Sequence, residues 1–153
     1  MKTLKAGDKA PDFSLPSDLG NNLTLSEFSG KKVVLYFYPK DDTPGCTKQA
    51  CGFRDLLGHF DKKKTVVLGI SRDDLASHKK FRKKYSLNFP LLSDEDKSVH
   101  ELFGAWGKKM MYGKESIGVI RTTVVIDEKG KVLSIKHGVK SEPNPANTLE
   151  IVS

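Results

Sequence analysis

The chain has 153 residues, enough for one domain with a substantial core and short for two. Apolar residues make up 37% of it and the mean hydropathy is −0.42, which suits a soluble globular protein. No apolar run approaches the ~20 residues a membrane-spanning helix needs. The formal net charge is +7, from 26 Lys and Arg against 19 Asp and Glu. It clusters at Lys62-Lys63-Lys64, across residues 78–84 and at Lys108-Lys109, a pattern read as the solvated faces of amphipathic helices.

In chain order, residues 1–7 lack the apolar core of a secretory signal, so a cytoplasmic protein is expected. Residues 5–15 read as an extended edge piece. Ser17-Asp18-Leu19-Gly20-Asn21-Asn22 has hairpin-turn chemistry, and residues 23–25 resume an extended course, which together make an N-terminal β-hairpin. Ser26-Glu27-Phe28-Ser29-Gly30 reads as a short helical turn. Val33-Val34-Leu35-Tyr36-Phe37-Tyr38 is the signature of a central strand buried on both faces. From residue 43 to 61 the period becomes helical, with Cys46, Ala50, Phe53, Leu57 and Phe60 drawing one apolar stripe.

Thr65-Val66-Val67-Leu68-Gly69-Ile70-Ser71 is a second buried strand. Residues 75–85 form a basic helix with Leu75, Phe81 and Tyr85 on its apolar side. Residues 87–92 read as extended, with Pro90 marking a turn or an edge. Ser93-Asp94-Glu95-Asp96 caps a short helix closed by Gly104, and residues 104–118 read as irregular. Arg121-Thr122-Thr123-Val124-Val125-Ile126 is a third strong strand, joined by the turn Asp127-Glu128-Lys129-Gly130 to a partner over 131–137. About two turns of helix are expected from Asn147. Helices between buried strands imply right-handed crossovers and a parallel portion, and the last hairpin adds an antiparallel strand. The expected architecture is a single α/β domain over 1–153, a mixed sheet with helices on both faces.

Both cysteines, Cys46 and Cys51, lie where the first buried strand hands over to a helix. In a cytoplasmic protein a lone pair is more often catalytic or redox-sensing than a structural staple. Pro44 suits the first helical turn and Thr43 is placed to cap it through its hydroxyl. Cys46 then sits near free backbone N–H groups and the positive helix end, which favour a reactive thiolate. Five residues along one helix separate the two Cα atoms by roughly 8.6 Å, whereas a disulfide needs about 4.4–6.8 Å. Either the two never pair, or pairing requires local unwinding. The spacing does not fit a C-x-x-C disulfide exchanger, and two sulfurs without a suitably placed His make a poor zinc site. His59, His78, His100 and His137 are scattered and read as surface or packing residues.

Pro39-x-x-x-Thr43-x-x-Cys46 is similar to the active-site motif of peroxiredoxins. The fuller run from Phe37 to Thr47, with Ala50-Cys51, resembles the Q-type subfamily, the bacterioferritin comigratory proteins. Ala6-Gly7-Asp8-Lys9-Ala10-Pro11-Asp12-Phe13, Leu68-Gly69-Ile70-Ser71, Leu91-Leu92-Ser93-Asp94 and Arg121 to Asp127 resemble it in the same order.

The resemblance implies a thioredoxin-like fold and a thiol peroxidase acting on hydrogen peroxide and organic hydroperoxides, without metal, haem or flavin. It implies Cys46 as the peroxidatic nucleophile and Cys51 as the resolving cysteine of an intrasubunit disulfide. Thr43 would orient the peroxide, Arg121 would stabilise negative charge, and Pro39 would shield the pocket. Thioredoxin or a similar dithiol protein would be the reductant, and a monomer the expected state, with a weak dimer as the alternative. Gln49 stands where many relatives carry Glu. Trp106 and Met110-Met111-Tyr112 resemble a loop near the pocket, with packing the favoured role. The C-terminus from Ser141 matches poorly. The competing function is a redox sensor or chaperone-like protein switched by a Cys46–Cys51 disulfide. A nucleic-acid role is disfavoured, since the basic residues are not interleaved with aromatics.

Overall fold

The computed structural model describes residues 4–111 and 113–153, so Tyr112 and residues 1–3 lie outside it, and of Met110 and Met111 only the backbone is described. Three strands run parallel, β3 (Lys32–Phe37), β4 (Thr65–Ser71) and β5 (Leu91–Ser93). On the far side of β3, β8 (Thr122–Ile126) runs antiparallel to it and β9 (Val132–His137) antiparallel to β8, in the order β5-β4-β3-β8-β9. The short strands β1 (Ser14–Pro16) and β2 (Asn22–Thr24) form the N-terminal hairpin. A 3₁₀ turn over Leu25–Phe28 leads into β3.

Side-chain alternation divides the core into two layers. Val33, Leu35 and Phe37 of β3 join Leu68, Ile70, Val124 and Ile126 on one face of the sheet. Val34, Tyr36 and Tyr38 join Val67 and Val125 on the other. The first layer is covered by the N-terminal segment and by α3 (Ser98–Leu102) through Val99 and Phe103. The second is covered by α1 (Pro44–Lys62), α2 (Leu75–Tyr85) and α4 (Asn144–Val152). A continuous apolar strand therefore marks a sheet clothed on both sides, as its composition requires. Within α1 the apolar stripe is realised, with Cys46, Ala50, Phe53 and Phe60 buried and Leu57 half-buried.

Three sequence expectations are corrected. Residues 104–118, read as irregular, contain the antiparallel pair β6 (Trp106–Met111) and β7 (Lys114–Val119), standing apart from the main sheet. No alternation announces it, because β7 is mostly exposed and has little apolar surface to place on one side. The α4 helix begins at Asn144, three residues early, with Pro145 in its first turn where a missing N–H costs nothing. Strand β5 begins only after Pro90. Among the histidines, His78 and His100 are fully buried beside carboxylates, while His59 and His137 are exposed.

The basic character of residues 78–84 is also less uniform than its composition suggests. His78 faces inward, and Arg82 forms an ion pair with the buried Asp18 of the N-terminal hairpin turn while donating to the Leu87 and Phe89 carbonyls. Trp106 is half-buried under the cations of Arg72 and Lys97, a packing role.

Candidate active site

The loop from β3 to α1 lies at the C-terminal end of the parallel strands, where open α/β sheets place their ligands. Thr43 is the N-cap residue by backbone geometry and Pro44 opens the helix, which makes Cys46 the third helical residue. At that position the backbone N–H has no acceptor within the helix. The Thr43 hydroxyl does not cap the helix as expected. It donates to the Lys40 carbonyl at 2.9 Å and tightens the loop before the helix instead.

Cys46 is almost wholly buried, at 1% exposure, and both cysteines are thiols. Cys51 lies in the same helix, half-buried. Pro39 is exposed in the loop.

Arg121 reaches this sulfur because of sheet topology. Strand β8 runs antiparallel to β3 and pairs Thr122 with Phe37, so the residue preceding β8 comes level with the loop that follows β3. The Arg121 guanidinium donates through Nη2 to Cys46 Sγ at 3.4 Å and through Nη1 to Gln49 Oε1 at 2.5 Å. A forked cation thus bridges two side chains of α1, facing a sulfur at the positive end of a helix.

Gln49 is a site residue that the apolar-stripe reading passed over. It lies three residues after Cys46, on the buried face, and is fully buried. Its amide nitrogen donates to Asn144 Oδ1 at 2.8 Å in the first turn of α4. The same oxygen accepts from Thr123 Oγ1 at 3.0 Å. The signal was available, because a polar residue between Cys46 and Ala50 on a buried face must have a partner. Which partner it finds lies 95 residues further along the chain. At Gly52, immediately after Cys51, a Cβ atom would come within 2.7 Å of Pro145 Cγ, so only glycine admits this close approach of α4.

The other unforeseen support is the anchoring of the loop itself. Asp41 is buried and accepts from the Tyr38 hydroxyl at 2.6 Å, from Ser77 Oγ at 2.7 Å and from His78 Nδ1 at 2.7 Å. Its backbone N–H donates to Asp73 Oδ2 at 2.8 Å. The next residue, Asp42, has a left-handed φ of 58° and accepts from Lys84 and Tyr85 at the end of α2. Helix α2 therefore pins the loop that carries Pro39 and Thr43 and leads into the helical turn of Cys46.

Both nitrogens of His78 face acceptors, the second being the Leu92 carbonyl at 2.9 Å, so both can donate only when the ring is an imidazolium. Burial disfavours that charge, but the hydrogen bond and charge of Asp41, with help from Leu92 and Asp73, outweigh it and raise the His78 pKa above its ordinary value. Such a group contributes stability that is fully present below its unfolded value of about 6.5 and is lost as pH rises through the folded value. The stability gap between wild type and His78→Gln is therefore expected to narrow as pH climbs above about 6.5. Urea midpoints of the two proteins measured across neutral pH check this, and a constant gap would contradict it.

Comparison with known proteins gives the family of the chain. The AhpC/TSA family matches residues 6–135. A putative peroxiredoxin Bcp of Coxiella burnetii is 48% identical over 147 residues, covering 96% of this chain and 97% of its own. Peroxiredoxin Bcp of Escherichia coli is 50% identical over 132 residues, 86% and 85% of the two chains. A structure of the bacterioferritin comigratory protein of Xanthomonas campestris, from work on its alkyl peroxide reduction activity, superimposes with a TM-score of 0.89. It is 36% identical over 96% of each chain. With likeness of this extent in both sequence and fold, the chain belongs to the AhpC/TSA family, in its Bcp or Q-type group of peroxiredoxins, and is a thiol peroxidase of thioredoxin-like fold.

Proposed function

We propose that Cys46 is the peroxidatic nucleophile and Cys51 its resolving partner within the same chain. The observation that carries this reading is the 3.4 Å approach of Arg121 Nη2 to Cys46 Sγ in the first turn of a helix. The thiolate attacks one peroxide oxygen, so that an S–O bond forms as the O–O bond breaks. The departing hydroxide or alkoxide takes up a proton, and Cys46 is left as a sulfenic acid. Arg121 and the free backbone N–H groups offset negative charge on the sulfur and then on the leaving oxygen. Thr43 orients the peroxide, and Pro39 shields the sulfur from water.

The Cys51 thiol then displaces the sulfenic hydroxyl, forming the disulfide and releasing water. In an intact helix their Cα atoms stand roughly 8.6 Å apart, too far for the bond, so the first turns of α1 must open. Because Gln49 and Gly52 both touch the start of α4, that opening also releases Asn144 and Pro145. A dithiol protein such as thioredoxin restores both thiols and is itself oxidised to a disulfide.

We read the chain as one domain working as a monomer in the cytoplasm, with no metal, haem or flavin in the cycle. Among the described residues the exposed large apolar side chains, Leu19, Leu102, Ile117 and Leu133, are dispersed over different parts of the chain, which supports a monomer. No helix of the described residues is long and apolar enough to cross a membrane. Hydrogen peroxide and alkyl hydroperoxides form the substrate class, the latter in keeping with the Xanthomonas campestris relative.

A coupled assay with thioredoxin, thioredoxin reductase and NADPH tests the reading. Many equivalents of peroxide are expected to be consumed per chain, whereas a single equivalent would favour the redox sensor. In Cys51→Ser, mass spectrometry is expected to find one sulfenic acid and no internal disulfide. A disulfide between two wild-type chains would contradict the intramolecular route.

A further inference from the structure

Four polar side chains link the start of α4 to the Cys46 sulfur, and their donor and acceptor roles leave one arrangement. Arg121 can only donate, so the group facing its Nη1 must be the Gln49 oxygen. The Gln49 nitrogen is thereby turned toward Asn144, whose facing atom must be the acceptor Oδ1. Thr123 completes the set by donating to that same oxygen. Reversing any one amide would set donor against donor or acceptor against acceptor in a buried place, a costly arrangement. Gln49 is fully buried, Asn144 and Thr123 nearly so, and Asn144 is held in turn by its place in the first turn of α4.

We propose that Asn144 is a positioning residue for the reaction at Cys46: by holding the Gln49 amide in one orientation, it aims Arg121 at the sulfur. This rests on the reading of Cys46 as the peroxidatic nucleophile. It assigns a task to the C-terminal segment from Ser141, which supplies the acceptor on which the Arg121 geometry depends. Without Asn144 Oδ1 the Gln49 side chain is free to rotate. Arg121 then keeps its charge but loses the fork that places Nη2 on Sγ.

A double-mutant cycle between Asn144→Ala and Gln49→Ala tests it. The first readout is the second-order rate of Cys46 oxidation by hydrogen peroxide. The second is the pH profile of Cys46 alkylation, followed by peptide mass spectrometry. Each single variant is expected to slow oxidation by about tenfold, the effect of one lost buried hydrogen bond. Each is also expected to move the alkylation profile to higher pH, with the double variant no worse than Gln49→Ala alone. Thr123→Val, close to isosteric and suited to a strand, relaxes the same amide and is expected to act in the same direction should Asn144→Ala not fold. Val152→Ala, which loosens α4 packing without touching Asn144, is expected to leave the alkylation profile in place.

A folded Asn144→Ala with wild-type oxidation and alkylation overturns the proposal. So do additive effects in the cycle, or a Val152→Ala profile that moves as far as that of Asn144→Ala. If Asn144→Ala does not fold, an unchanged Thr123→Val overturns it. Alkylation reports the surroundings of Cys46 whether or not that residue turns over. Peroxidase activity surviving in Cys46→Ser would therefore remove the functional reading while leaving this cycle interpretable.

Discussion

Cys46→Ser is expected to abolish peroxide turnover and leave the fold in place. A serine hydroxyl is close in size to the thiol, so the first turn of α1 and the buried stripe through Ala50 and Phe53 keep their packing. What is lost is the nucleophile, since an alcohol at neutral pH has almost no anionic form and does not accept oxygen from a peroxide as sulfur does. Cys51 is not a substitute. It lies within the helix, half-buried, while the Arg121 fork engages Cys46 and Gln49. The measurement is the coupled NADPH assay alongside a circular dichroism melt. Turnover above a few per cent of wild type in a well-folded variant would move the chemistry to another residue.

Arg121→Ala is expected to slow Cys46 oxidation by roughly 10²–10³, the loss typical when one donor to a developing negative charge is removed. Arg121→Lys separates charge from geometry. Lysine keeps the cation but lacks the planar fork that spans Gln49 Oε1 and Cys46 Sγ, so it is expected to recover only part of the rate. Stopped-flow oxidation of the reduced variants by hydrogen peroxide checks both. Full recovery in Arg121→Lys would show that charge alone matters at this position. An unchanged Arg121→Ala would remove Arg121 from the chemistry.

These two variants differ in how far sequence alone leads to them. The continuous β-rich runs at 33–38 and 122–126, the change of period after Thr43 and the turn chemistry around Gly20 and Gly130 are legible locally. They place the buried strands and helix α1 close to where the structure has them. The β6–β7 hairpin was not legible, because its exposed strands carry no one-sided apolar pattern. Within the basic stretch 78–84, His78 reads as a surface or packing residue, and the sequence does not choose between the two. Its position three residues before Phe81 puts it on the buried face, yet charge composition says nothing about the Asp41 carboxylate waiting there. Arg121 is singled out only by the family resemblance, since an arginine at the start of a strand carries no local sign of its target.

Local pattern alone requires that a buried strand hand over to a helix at Pro44, that Cys46 lie in its first turn, and that Cys51 lie beyond bonding reach along that helix. Those are consequences of periodicity, of proline's preference for a helix start and of fixed helical rise. What surrounds the sulfur is set by long-range packing. The antiparallel register of β8 against β3 delivers Arg121, the return of α4 onto α1 delivers Asn144 and Pro145, and the packing of α2 delivers His78 to Asp41. Periodicity reports which face of an element is buried; the identity of the group it meets depends on contacts between residues far apart in the chain, which no local pattern encodes.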